Sequence, residues 1–325
     1  MTQALRRLAR TAVPPSTVLL LACVVVAVLA VATGLTAWLI GVGAALSLGM
    51  GLVTGLPAAA AELPLRVRLG ETALAAAAAG LGVAAGRPWG LAAVVFATAL
   101  AQAPFTASSA GLGMAPAVSA SVLGSVLPGE HPVLVGLLVV VGNGLAHAVV
   151  WALRLPRRSV PVPWRLAVLH AVTFAVIASA VLLVAGLEGL PHAYWAVLVL
   201  AAAMRPRPVE ARRTAPAVFV GTLVGLAVSA VVAFALPRPA TIVALVACAV
   251  LMFGWALAGD AGRQSWFGTP VIVLLASSPA LVDPARVAAE RVLLTGVSVG
   301  LALLAAWLMR GLDDAVAPGH APSTH

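Results

Sequence analysis

The sequence predicts an all-α, polytopic membrane protein of about twelve transmembrane helices, arranged as two parallel six-helix repeats. Three observations carry this reading. Of the 325 residues, 62% are hydrophobic and 9% are charged, against roughly 45–50% and about 25% in globular chains. A soluble fold of this length cannot hide so much apolar surface, because burial is limited by surface-to-volume scaling. The apolar residues also come in runs of about 17–25, the length that crosses a ~30 Å hydrocarbon core at about 1.5 Å per residue. Finally, the chain repeats itself.

Taken in order, the first run covers 17–33. It follows Arg6, Arg7 and Arg10 and at first resembles a secretory leader, but eleven further apolar segments make an uncleaved first span the better expectation. The next four are expected at 36–56, 69–86, 89–105 and 110–127, the last rich in Gly, Ser and Ala with Pro116 inside it. A sixth at 132–153 completes the first half. The second half repeats the count at 164–187, 191–204, 215–236, 239–258, 266–281 and 285–309, its second member being short. Little chain remains outside these spans, so a soluble catalytic or nucleotide-binding domain is excluded.

The repeat is visible in residues. Gly34-Leu35 leading to Trp38 returns as Gly189-Leu190 leading to Tyr194-Trp195, and Gly70-Glu71-Thr72 returns as Gly221-Thr222. His131-Pro132 with Asn143-Gly144 returns as Asp283-Pro284 with Thr295-Gly296, all at an offset of 152. Six spans per half is an even number, so the halves run parallel about an axis along the membrane normal. The expected division is 1–158 and 159–325, with its seam in the Arg- and Pro-rich stretch Leu155 to Pro163.

All nineteen basic residues are arginines. Fifteen of them (Arg6, Arg7, Arg10, Arg66, Arg68, Arg154, Arg157, Arg158, Arg165, Arg205, Arg207, Arg212, Arg213, Arg263 and Arg310) fall in the termini and even-numbered connections, and only Arg87, Arg238, Arg286 and Arg291 do not. The positive-inside rule then places both termini in the cytoplasm of a cell whose inner (plasma) membrane holds the protein. The net charge of +9 is spread over these short connections, which does not make a nucleic-acid surface. Cys23 and Cys248 lie inside apolar runs and read as core thiols; no metal-type Cys/His spacing occurs and no cofactor is called for.

A charge inside a span costs about 2.5–3.5 kcal/mol on insertion scales, so each needs a partner or a wet cavity. The twelfth span is the most informative. Asp283 can cap it and Pro284 suits its first position, while Arg286 and Glu290, four apart, can neutralise each other. Arg291 lies roughly 10 Å below the start of that span, with no acid three or four positions away. The repeat places apolar Leu138 and Val139 where this half has Glu290 and Arg291, so packing symmetry does not require the charges. Arg291 reads equally as a substrate- or pore-facing cation and as one member of an interhelical ion pair.

Other polar groups also carry two readings. Arg68 can reach Glu71 and Thr72 along one helix face, which suits either a snorkelling arginine or an anion-collecting vestibule. Arg205, Arg207, Arg212 and Arg213 stand at the equivalent place in the second half, orienting the chain or raising anion concentration at its mouth. Asn143 and His147 share a face of the sixth span, as a helix-to-helix hydrogen bond or a proton relay. His192, Tyr194 and Trp195, where the eighth span enters, suit an aromatic belt or an aromatic surface for substrate. His170 gives a weaker signal. Glycine pairs at 51/55, 82/86, 221/225 and 296/300 predict close helix packing.

The stretch Pro191-His192-Ala193-Tyr194-Trp195-Ala196, followed by Met204-Arg205-Pro206, Arg212-Arg213 and Gly221-Thr222-Leu223-Val224-Gly225, resembles the core pattern of the fusaric acid resistance protein-like family. Arg291-Val292-Leu293-Leu294-Thr295-Gly296 is similar to that family's closing helix, and the span order of the first half fits as well. Two departures stand out: Val218 occupies a position where members usually carry arginine, and the large cytoplasmic insertion of many members is missing. The resemblance implies export of aromatic carboxylic acids or related small organic anions, and related plant proteins act as organic-anion channels.

Three function classes compete. The first is an exporter or channel for small organic anions, with Glu71, Glu290 or His147 as candidate proton carriers. A membrane transferase would need clustered acids to hold a divalent ion, and the only adjacent pair, Asp313-Asp314, sits in the polar tail. A permease subunit or scaffold would show no polar cavity between the halves. No phosphate-cradling Gly-rich loop with lysine is present, so this chain binds no ATP there. The expected partners are the bilayer and a small organic anion, with a homo-oligomer also compatible.

Overall fold

The computed structural model describes residues 13–112, 114–154, 159–276 and 284–309. Arg6, Arg7, Arg10, Arg157, Arg158, Asp283, Arg310, Asp313 and Asp314, and the expectations resting on them, lie outside the described residues. Among the described residues all regular structure is helical. The helices are α1 (Ser16–Leu39), α2 (Val42–Ala60), α3 (Leu65–Ala84), α4 (Pro88–Ala101), α5 (Ala103–Ser108), α6 (Ala115–Val126), α7 (Pro132–Ala152), α8 (Trp164–Leu187), α9 (Tyr194–Ala203), α10 (Pro208–Ala235), α11 (Arg238–Leu257), α12 (Ala261–Ala276) and α13 (Pro284–Leu308).

Proline sets many of the starts. Pro88, Pro132 and Pro208 open α4, α7 and α10 at the first helical position, where a missing N–H is no loss. Pro104 has the opposite effect. It follows α4 closely, lacks a donor and crowds the carbonyl four residues back, so the rod breaks at Gln102 and resumes as α5. Serine and threonine hydroxyls inside the rods bond back to the carbonyl four residues earlier, as at Thr33, Thr54, Thr98, Thr222 and Ser229. That leaves few hydroxyls needing water they would not find in lipid.

Nine of the described helical rods are long and apolar enough to cross a membrane, counting Pro88–Ser108 as one. Each of the twelve expected spans falls on a helix, but α6, α9 and α12, at 12, 10 and 16 residues, are shorter than a crossing requires. They measure about 18, 15 and 24 Å against a ~30 Å core. Irregular backbone at membrane depth is tolerated where protein covers it, and α6 and α9 are mostly buried. By contrast α1 buries only Ala22 and Val25 and turns Leu20, Val31 and Trp38 outward.

The two halves pack by the same pairs. In the first, α2 lies on α7, α3 on α6 and on α7, α1 on α2, and α4 on α6. In the second, α9 lies on α13, α10 on α12 and on α13, α8 on α9, and α11 on α12. Across the halves α4 packs on α8, and the matching pair α11 packs on α1. Glycine permits the closest crossings. A methyl on Gly82 would stand 2.5 Å from the Ala120 carbonyl oxygen, and one on Gly221 would meet the Gly262 carbonyl at once. Gly51 and Gly55 meet Val139 and Asn143 in the same way, whereas Gly296 and Gly300 have room around them and are not packing glycines. Cys248 is buried as expected, but Cys23 is exposed on α1, because that helix offers its flank to lipid.

Candidate functional site

The residues that come together are those of the eighth and twelfth expected spans. Gly189, in the left-handed region at φ 69°, turns the chain after α8. His192 then reaches α13, where its backbone N–H donates to Glu290 Oε1 at 3.0 Å and its ring Nδ1 meets Oε2 at 3.1 Å. Both carboxylate oxygens are thereby occupied. The expected pairing of Glu290 with Arg286 does not form: Glu290 turns inward to the α9 entrance, and Arg286 stays exposed.

That clamp orders an aromatic cluster. The His192 ring stacks on Trp195 at 4.2 Å and 13°, and Tyr194 meets Trp195 edge-on at 6.0 Å. Trp195 is fully buried, so it is not an interface anchor. Over its other surroundings stands Arg291, with Cζ 5.2 Å from the indole ring centre. Arg291 is 5% exposed, and its Nε and Nη1 have no hydrogen-bond partner. Among the described residues no carboxylate pairs with it. The interhelical ion pair considered for Arg291 is therefore not formed; the indole face supplies its contact. Ser298, two turns along α13, donates to the Ala196 carbonyl at 3.2 Å and fixes the two helices against each other. Thr295, between them, is buried with a free hydroxyl.

A cavity of about 190 Å³ opens beside the turn into α9, lined by Pro191 and Ala193 but not by His192, Trp195, Glu290 or Arg291. Its wall draws on both halves: Arg87, Leu91 and Ser125 from the first, Gly186, Pro191 and Ala193 from the second. Pro191 and Ala193 flank His192. A guanidinium with idle donors beside an aromatic face is suited to a planar carboxylate, with charge-assisted hydrogen bonds at one end and ring contact at the other.

The remaining sequence candidates lie elsewhere. Arg68 donates through Nε and Nη2 to the Leu63 carbonyl at 3.1 and 2.8 Å, rather than to Glu71 or Thr72. The open carbonyl just before α3 is its nearer acceptor. Glu71 is buried with both oxygens unpartnered. Asn143 donates to Val139 of its own helix, and His147 Nδ1 to the Asn143 carbonyl, so among the described residues neither forms the helix-to-helix bond. The close approach of Gly55 leaves the Asn143 Oδ1 packed and without a hydrogen-bond partner. Arg207 pairs with Glu210 at 3.7 Å on the exposed start of α10, and Arg212 and Arg213 follow there, beyond the far end of α9 from Trp195. Sequence reasoning missed Arg87 on the cavity wall and Gln102 at the helix break. A lone glutamine two residues before a proline, inside an alanine-rich run, was the available signal for the latter.

Residues 177–305 match the family model described as fusaric acid resistance protein-like. This segment is similar to that family. It runs from within α8 almost to the end of α13, and the whole Glu290–His192–Trp195–Arg291 cluster falls inside the fusaric acid resistance protein-like segment. The long apolar helices make the chain a multi-pass membrane protein, and its segment 177–305 is similar to the fusaric acid resistance protein-like family. No curated protein and no solved structure matches it.

Proposed function

We propose that this protein exports small organic anions, with aromatic carboxylates as the substrate class, across the inner (plasma) membrane. The observation that carries the reading is the buried Arg291 on the Trp195 face, whose Nε and Nη1 have no protein partner. A cation in that position costs free energy for the fold, and its use is best explained by a negative solute arriving there. The cavity lined by Arg87, Pro191 and Ala193 supports a passage over a scaffold role, and the resemblance of residues 177–305 to an efflux-related family supports the direction.

In this reading the chain is two parallel six-helix halves, 1–158 and 159–325, with both termini cytoplasmic. Twelve segments cross together because the short α6, α9 and α12 are completed by the protein around them. Glu290 positions His192 and Trp195, and Arg291 binds the carboxylate. The chain uses no cofactor and acts as a transporter rather than an enzyme.

The test is flux of radiolabelled benzoate through proteoliposomes. Wild-type protein should transport it, Arg291→Met should reduce transport at least tenfold, and Arg291→Lys should recover part of it. Arg291→Met vesicles that transport as wild type would remove Arg291 from the pathway and the reading with it.

A further inference from the structure

A second group of buried polar side chains lies between the halves, away from Arg291. Gln102 stands at the break between α4 and α5, is 0% exposed, and has neither Nε2 nor Oε1 partnered. His170, on α8, is 1% exposed with both ring nitrogens unpartnered, its ring stacked near Phe174 at 6.4 Å. Neither enters the binding cluster described above.

Packing places these two at one level. On α4, Leu91, Val95 and Ala99 face Phe174, Ala175, Ala178 and Leu182 of α8 in one core. The α4 stripe continues to Gln102 three residues after Ala99, and the α8 stripe continues to His170 four residues before Phe174. The pair of segments is antiparallel and pinned at both ends. Gly186 abuts Pro88 at one end, and the Val162 N–H donates to the Ala107 carbonyl at 3.0 Å at the other. Interpolating between these pins puts Gln102 and His170 roughly within one helical turn of each other. Arg205, two residues past the end of α9, is close enough for its charge to act on His170.

Orphan amide and imidazole groups at membrane depth carry an uncompensated desolvation cost. Broken helices lining a cavity are where transport proteins place such groups, with half-helix ends and side chains converging on cargo. An amide N–H, an imidazole N–H and a guanidinium together offer donors on three elements, the complement of a carboxylate's two oxygens. The two sites are linked by α9: Trp195 lies in its first turn and Arg205 just beyond its last.

We propose that Gln102, His170 and Arg205 form a second carboxylate-binding station, at the end of α9 opposite Arg291, which the same organic-anion cargo occupies in passing. This rests on the transport reading above. The probe is radiolabelled benzoate in equilibrium binding to the purified full chain, with melting followed on the same samples. Wild type should hold two benzoates, and Gln102→Leu and Arg291→Met one each. Gln102→Leu should also raise the transport KM about tenfold, the loss of one charge-assisted contact, while melting no lower than wild type.

Binding and KM, rather than melting, separate the roles. If Gln102 were only structural, its apolar isostere would melt at or above wild type and leave binding and KM unchanged, which overturns the proposal. His170→Phe, which keeps a ring against Phe174 without nitrogens, should repeat the Gln102→Leu result and guards against a folding defect in either variant. One benzoate in wild type, abolished by Arg291→Met and untouched by Gln102→Leu, would overturn this station yet leave the Arg291 reading standing. No benzoate on wild type would remove both.

Discussion

Removing the Glu290 carboxylate should destabilise the second half of the bundle, and the size of the loss can be worked from its contacts. Glu290 accepts from the His192 N–H at 3.0 Å and meets the ring nitrogen at 3.1 Å, with the two side chains 7% and 14% exposed. Hydrogen bonds to a charged acceptor contribute about 1.5–3 kcal/mol each. Some of this is offset because Glu290→Ala also removes the cost of burying a carboxylate. Leaving the part-buried His192 N–H unpaired costs about 1–3 kcal/mol, and losing the ring contact as well brings the expected loss to about 2–4 kcal/mol. Glu290→Gln keeps an oxygen for the His192 N–H and should lose about 1 kcal/mol. The assay is reversible denaturation in mixed micelles, followed by helical circular dichroism and tryptophan fluorescence. Glu290→Ala within 0.5 kcal/mol of wild type would refute the idea that this clamp fixes the start of α9.

Two further outcomes follow from neighbouring geometry. Arg291→Met should shift stability the other way, raising the unfolding free energy by about 1–3 kcal/mol, since it removes a buried cation whose compensation is a cation–π contact of about 0.5–2 kcal/mol; the same denaturation series would measure it, and a loss of stability would mean that Arg291 is structural. Gly221→Ala should destabilise by about 1–3 kcal/mol through overpacking against the Gly262 carbonyl, whereas Gly300→Ala, with open space around it, should be neutral; equal melting of these two variants would contradict the close α10–α12 crossing.

Much of this architecture was legible because lipid imposes simple length and polarity rules on a chain. Each expected span coincides with a helix, and Pro88, Pro132 and Pro208 mark starts that the sequence already shows. The lengths were less legible. Hydropathy does not separate a segment that faces lipid from one wrapped in protein, so α6 and α9 read as spans although neither is long enough alone. The site was half legible. Glu290, Arg291, His192, Tyr194 and Trp195 could be singled out as costly or aromatic residues at membrane depth. Which of them meet depends on how α9 seats on α13, and the local rule of three- or four-residue spacing favoured Arg286 for Glu290 and Glu71 for Arg68. Other partners won in both cases: the donating His192 N–H for Glu290, and the nearby Leu63 carbonyl for Arg68. Gln102 and His170 lacked any spacing signal, because their shared level arises from two antiparallel rods in different halves.

The brevity of α9 bears on how voltage would act. Its ten residues measure about 15 Å, half the thickness of the surrounding hydrocarbon. A membrane potential is worth about 2.3 kcal/mol per elementary charge per 100 mV, and where aqueous recesses approach from both faces most of that drop falls across the thin septum left between them. An anion moving from the Arg205 end of α9 to the Trp195 end would cross most of the electric field in one short step. On the proposed transport reading, with the Arg205 end cytoplasmic, an inside-negative potential would push an anion outward along this helix.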